Sequence, residues 1–264
     1  MMKAAIVGFG TISIVHIDAI ASNPGMELVA ICDINEDLAA KVPEGVKFYT
    51  DYKQMCEEVK PDVVHNLLPH YLHYPVTKEL VEMGFNVFCE KPIALNSKEA
   101  EQFCALEAAH PEVKIGVCLQ NRMNETTEAL KQIIESGEYG NIIGIRGFVP
   151  WFRNDGYYSV KPWRGTWKGE GGGVLINQAP HQIDLLLWYM GEVEELSGMW
   201  DTLKAYKQDD GFAGASSFLT NRRGSDPLVR TWTQKASAKM SSPMELIDSF
   251  TADTLVRARY NENV

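Results

Sequence analysis

Up to about residue 118 the chain alternates short, almost wholly apolar runs with stretches whose apolar residues recur at helical spacing. The runs KAAIVGF, MELVAICD, PDVVHNLL, NVFCE and VKIGVC read as strands. Nearly continuous apolar strands separated by helices predict a parallel sheet covered on both faces. HYPVTKELVEMG is a helix pattern that ends on Gly84, a good C′ residue. SKEAEQFCALEAA opens on Ser97 as N-cap, with Glu99 and Glu101 in the first turn, where the helix dipole favours acids.

The alternation stops near Cys118. NETTEALKQIIESGEYG predicts one more helix, capped by Asn124 and closed by Gly137. NIIGIRGFVPWF reads as a strand. An aromatic loop, a glycine triplet, a helix over 178–190 and a further strand in EVEELSGMWDTLKAY follow. Near the end, SPME makes a capping box of Ser242, Pro243 and Glu245 for a last helix with Met244, Ile247 and Phe250 on its apolar side. The predicted organisation is a doubly wound α/β domain over 1–120 and an α+β domain over 121–264.

Composition adds exclusions. The chain has 264 residues, of which 45% are hydrophobic and 23% charged, as in ordinary soluble globular proteins. Its formal net charge of −10 argues against general binding to nucleic acid or anionic membranes. Five cysteines, none in C-x-x-C spacing, mostly sit in apolar runs and read as buried free thiols of a reducing compartment. The N-terminal stretch has the outline of a signal peptide, but Gly8, Gly10, His16 and Asp18 interrupt it. No apolar run reaches the roughly 18 residues of a membrane span. A cytoplasmic location is expected.

Candidate chemistry begins at Gly8-x-Gly10-x-x-Ser13, between a strand and a helix. The first glycine permits a tight turn. The second lets a pyrophosphate approach the backbone, and the third position needs a small residue. The N–H groups of Thr11, Ile12 and Ser13, which open the helix, would then hold phosphates. Asp33 follows about 20 residues on, placed to accept hydrogen bonds from ribose hydroxyls. Its charge would repel a 2′-phosphate, so NAD is the expected cofactor and NADP the other candidate.

At the end of the fifth strand, Glu90, Lys91 and Pro92 stand in a row. Ligands of such sheets lie outside the carboxyl ends of the strands, so Glu90 and Lys91 would face a cofactor. A lysine there can hold or relay the proton of a substrate hydroxyl, and Pro92 would fix the backbone, with a cis bond as one way to do so. From the local sequence alone, a surface ion pair at a strand end explains the same residues. Further on, Gly171–Gly173 allow close backbone approach, and Asn177, His181 and Asp184 follow. Pro180 places His181 in the first turn of its helix. His181 is a candidate acid or base, or else a satisfied core histidine. The loop 151–167 holds six aromatic and three basic residues, and these suit sugar stacking or simple packing. His65, His70 and His73 lack a completing ligand, and no metal is expected.

Together these pieces resemble the glucose–fructose oxidoreductase / inositol dehydrogenase / MocA family of NAD(P)-dependent oxidoreductases. GFGTIS with His16 and Asp33, PHYLH at 69–73, CEKP at 89–92, QNR at 120–122, WRGTW at 163–167 and GGGVLINQAPHQIDLL at 171–186 run in the family's order. The resemblance implies a Rossmann domain, then a mostly antiparallel sheet domain that often mediates oligomerisation. It implies hydride transfer between a sugar or cyclitol carbon and nicotinamide. Lys91 would be a catalytic lysine and His181 the proton acceptor. Glu90 would touch the nicotinamide-side ribose, Pro69, His70 and His73 would lie along the cofactor, and Trp163 and Arg164 would border cofactor and substrate. Asn177 stands where many relatives carry aspartate; an amide can orient His181 or bind a substrate hydroxyl. Family members are longer, and the difference falls at about 206–242, where sheet strands and a homo-oligomer interface would be reduced. A non-catalytic nucleotide sensor and an NAD-dependent glycosidase are the competing functions.

Overall fold

In the computed structural model, residues 1–151 and 153–191 are described, together with the backbone of strand segments at 196–197, 200–205, 213–217 and 220–221. The chain divides into two compact units. The first is Met1–Cys118 with Trp167–Gly171; the second takes Leu119–Thr166 and the described residues from Gly172 onward.

The first unit is built on six parallel strands: β1 (Met2–Val7), β2 (Met26–Cys32), β3 (Lys47–Tyr49), β4 (Val63–Asn66), β5 (Asn86–Cys89) and β6 (Ile115–Val117). Their order is β3-β2-β1-β4-β5-β6. The chain reverses direction across the sheet beside β1, and this is the switch point where doubly wound folds open a crevice. Five strands fall on the five apolar runs. The sixth, β3, is three residues long and too short to show a period.

Alternation of side chains sorts the strands onto two cores. Ala5, Val7, Ala30, Cys32, Val64, Val87 and Cys89 share one, under α2 (Tyr52–Val59), α3 (His70–Glu82) and α4 (Ser97–Ala109). Ala4, Ile6 and Ile31 face the other way and meet Ile20 of α1 (Ser13–Ser22). Cys32, Cys56 and Cys89 are buried free thiols, and burial pushes each up to about 12, so they are inert packing residues.

Helix ends largely follow the local signals. Gly84 has φ +86 after α3, and Gly137 has φ +66 after α5 (Glu125–Ser136). Two caps differ from expectation. Asn96, not Ser97, caps α4, accepting from the Glu99 N–H at 3.0 Å. Asparagine and serine cap about equally well, and here the extended backbone of Asn96 makes Ser97 the first helical residue. Asn124 sits at the cap position of α5 without a side-chain bond.

In the second unit α5 is followed by α6 (Asp155–Ser159), then α8 (Val174–Asn177) and α9 (Pro180–Met190); α7 (Trp167–Glu170) belongs to the first unit. The stretch 141–151 is not a strand. Among the described residues it forms only an isolated bridge at Ile142, and Ile143 and Phe148 are exposed. Its apolar run lacks the buried face that would make a strand of it. β7 (Leu196–Ser197) pairs antiparallel with β10 (Thr220–Asn221), and β8 (Trp200–Ala205) with β9 (Ala213–Ser217). The capping box at Ser242 lies outside the described residues. Among the described residues no helix is long and apolar enough to cross a membrane.

Candidate functional site

The turn after β1 is set by Gly8. Its φ is +99, and a Cβ there would lie 2.8 Å from the carbonyl carbon and oxygen of Leu67. Only glycine lets the turn pack this close to the chain leaving β4. A Cβ on Gly10 would meet nothing within 4 Å. Space therefore lies open in front of the second glycine, as the approach of a pyrophosphate requires. Thr11 and Ile12 are exposed, whereas Ser13 is buried and donates both its N–H, at 3.2 Å, and its hydroxyl, at 2.6 Å, to the Gly10 carbonyl. Asp33, at the carboxyl end of β2, accepts from the Phe9 N–H at 2.8 Å and from the Asn35 N–H at 2.9 Å. Each oxygen keeps acceptor capacity for a ribose hydroxyl. The turn and the carboxylate fit a dinucleotide.

Period-two alternation puts His65 of β4 and Phe88 of β5 on the α1 side of the sheet. There a buried chain of polar groups forms. His65 Nδ1 lies 3.0 Å from His16 Nδ1, and His16 Nε2 lies 3.0 Å from Glu90 Oε1. Glu90 Oε2 accepts the Lys91 N–H at 3.1 Å. Burial alone would raise the Glu90 carboxyl, but hydrogen bonds from His16 and Cys118 and the nearby charge of Lys91 hold it below the usual range. The Lys91–Pro92 peptide is cis. His73 places Nδ1 2.6 Å from the Pro92 carbonyl and Nε2 2.6 Å from that of Leu68. Burial lowers its pKa against the pull of these carbonyls and of Glu90. His73 thus ties the turn at Pro92 to Leu68, beside Pro69. His70, also buried, has Nδ1 3.0 Å from the Glu170 carbonyl.

Burial, with the neighbouring His16, lowers His65 from 6.5 to about 4. Unfolding at mildly acidic pH therefore takes up a proton, so stability falls as pH drops from 6.5 toward 4. The expected loss from His65 alone is about 3 kcal/mol. Urea melts of chelator-treated protein across that window check this; a flat midpoint would refute it.

In the second unit Tyr157 holds two of the expected residues, Asn177 and Arg164. Its hydroxyl accepts from Asn177 Nδ2 at 3.0 Å and from Arg164. The Arg164 guanidinium lies 4.4 Å from the Tyr157 ring and 4.6 Å from that of Trp163. His181 is buried in the first turn of α9, while Asn177 ends the preceding α8. The two therefore do not lie on one helix, because Pro180 starts a new one. Arg122 makes a bidentate pair with Asp184, its Nε donating at 2.7 Å. The QNR piece and the aspartate after His181 thus lock α9 in place.

Sequence reading passed over Tyr157 and the role of His16, and it weighed His65 only as a metal ligand beside His70 and His73. Alternation along VVHN marks His65 as inward-facing, but its partners come from other elements.

The sequence matches two family profiles. One, an oxidoreductase family with NAD-binding Rossmann fold, covers residues 2–117, and the other, the GFO/IDH/MocA C-terminal domain, covers 127–225. D-glucoside 3-dehydrogenase of Escherichia coli K12 is 28% identical over 197 residues, 72% of this chain and 54% of that protein. Inositol 2-dehydrogenase of Salmonella typhimurium LT2 is 26% identical over 237 residues, 88% of this chain and 64% of that one. The WlbA dehydrogenase of Bordetella pertussis, solved with NADH and UDP-GlcNAcA, superimposes with a TM-score of 0.74 at 30% identity, covering 83% of this chain and 66% of that one. The chain thus spans between half and two-thirds of the length of these relatives. Two adjoining profiles account for most of the sequence in their natural order, and the chain belongs to the Gfo/Idh/MocA oxidoreductase family.

Proposed function

We propose that the protein is an NAD-dependent dehydrogenase or reductase acting on a hydroxyl-bearing carbon of a sugar, sugar derivative or cyclitol. The observation that carries this reading is the Asp33 carboxylate at the end of β2, joined to the glycine turn through the Phe9 N–H. Relatives named as glucoside and inositol dehydrogenases support the substrate class. Bound NAD would supply the hydride acceptor. Thr11 and Ile12 would meet its phosphates, Asp33 would accept from the adenosine ribose, and Glu90 would accept from the nicotinamide-side ribose. His73 and His70 would hold the backbone along the cofactor through the carbonyls they bond. Lys91 would hold or relay the proton of the reacting hydroxyl and His181 accept it. Asn177 and Arg164, fixed by Tyr157, would bind further hydroxyl or acidic groups.

Calorimetry with NAD and NADP tests this first. NAD is expected to bind at least about tenfold more tightly, since a 2′-phosphate would meet the Asp33 charge. A polyol and sugar screen for NADH follows. Failure to bind either nucleotide sinks the proposal. Binding without turnover on any polyol favours a sensor, and release of free sugar from a glycoside without net NADH favours a glycosidase.

A further inference from the structure

Three different ligand types converge in the first unit. A ring nitrogen of His16, a Glu90 carboxylate oxygen and Cys118 Sγ lie within 4.8 Å of one another, and His16 Nε2 is the nitrogen that faces Glu90. The His16 and Glu90 side chains are 6% and 12% exposed, and Cys118 is half-buried. The sheet fixes their supports. The Cys118 N–H donates to the Cys89 carbonyl at 2.9 Å, and the Glu90 N–H to the Asn66 carbonyl at 3.0 Å. The ends of β5 and β6 are thus held side by side, and α1 brings His16 over them. The second ring nitrogen of His16 is held by His65, in the manner of histidines that ligate metals.

We propose that His16, Glu90 and Cys118 form a zinc site, contrary to the sequence-based expectation of no metal. Imidazole, carboxylate and thiolate together suit Zn²⁺ rather than Mg²⁺ or Ca²⁺. Zinc bonds of about 2.0–2.3 Å to N, O and S place ligand atoms about 3–4 Å apart, a spacing that atoms within 4.8 Å of one another can reach. In the metal-free protein the cluster is held by protons, with Cys118 and His16 hydrogen-bonded to Glu90. Zinc replaces them. The Cys118 thiol gives up its proton to solvent, while the His16 proton moves from Nε2, where it bonds Glu90, to Nδ1, where it is donated to His65 Nδ1, the His65 proton then standing on Nε2. A thiolate and a carboxylate balance the dication, and three protein ligands leave one position for water. Occupation also takes Glu90 away from the ribose it would contact. Zinc therefore competes with NAD; that consequence, unlike the site itself, rests on the function proposed above.

The test is zinc calorimetry on the full chain without nucleotide, with Co²⁺ spectra alongside. Expected are one zinc per chain, release of about one proton, and a cobalt–thiolate charge-transfer band. Cys118→Ser should weaken zinc at least about tenfold and abolish the band. Glu90→Gln, which keeps the size but loses the charge and one acceptor oxygen, should also weaken zinc at least about tenfold and covers the case in which the serine variant misfolds. Cys104→Ser is the control for adventitious binding, since Cys104 is exposed; it should change nothing. No zinc binding, or unchanged affinity in folded Cys118→Ser, would overturn the site. NAD affinity should fall with added zinc in the wild type and not in Cys118→Ser. A chain that binds zinc but no NAD upholds the site and sinks the dehydrogenase reading; one that binds NAD but no zinc sinks the site and leaves the dehydrogenase reading to the turnover screen.

Discussion

Lys91→Ala should lower kcat by about 10²- to 10⁴-fold, the span of a lost acid–base group, while NAD affinity changes little. The expectation rests on how Lys91 is held. Its backbone is fixed by groups other than its own side chain: the Lys91 N–H donates to Glu90, and the next residue's carbonyl faces His73. Truncation should leave that backbone, and the glycine turn with Asp33, where they are. Lys91→Arg separates charge from proton transfer. A guanidinium keeps the positive charge but cannot give up its proton in the working range, so it should be nearly as inactive as alanine. Kinetics on any substrate found by the screen, with NAD calorimetry on the same preparations, measure both effects. Alanine turnover equal to wild type would remove Lys91 from the reaction. An active arginine variant would leave it an electrostatic role alone.

How much was legible in the sequence follows from where each signal resides. Strands buried on both faces write themselves as apolar runs, so five of six could be placed, and the glycine turn and Asp33 followed from their spacing. β3 could not be seen because three residues carry no period. The segment 141–151 was misread because an apolar, β-prone run does not say whether a face is covered; here Ile143 and Phe148 are exposed. The cap of α4 was misplaced by one residue because Asn96 and Ser97 are both capping types and only geometry chooses between them. The His65–His16–Glu90 chain was invisible for a deeper reason. Its members lie on β4, on α1 and at the end of β5, and only the strand register brings them together. The same holds for Tyr157, which nothing local distinguishes from other aromatic residues in its loop.

The two glycines of the turn should fail in different ways. In Gly8→Ala the new methyl would meet the Leu67 carbonyl carbon and oxygen at 2.8 Å and the Leu68 nitrogen at 3.0 Å, all backbone atoms that cannot rotate away. The residue would also keep φ +99, at a cost of about 1–2 kcal/mol for a side chain in that region. Relief requires the turn to lift. That strains the bonds from the Gly8 N–H to the Cys32 carbonyl and from the Leu67 N–H to the Val7 carbonyl, both 2.8 Å. With overpacking of about 1–3 kcal/mol added, the expected loss of stability is about 2–5 kcal/mol, and NAD binding falls with it. Gly10→Ala should behave differently. Its methyl meets nothing within 4 Å, so stability should stay within about 0.5 kcal/mol of wild type. Yet that methyl fills the space a pyrophosphate must enter, and NAD affinity should drop at least about tenfold. Denaturant melts and NAD calorimetry on both variants decide. Undiminished NAD affinity in Gly10→Ala would show that phosphates do not pass over this turn, and an undisturbed melt in Gly8→Ala would show that the turn is not packed against Leu67.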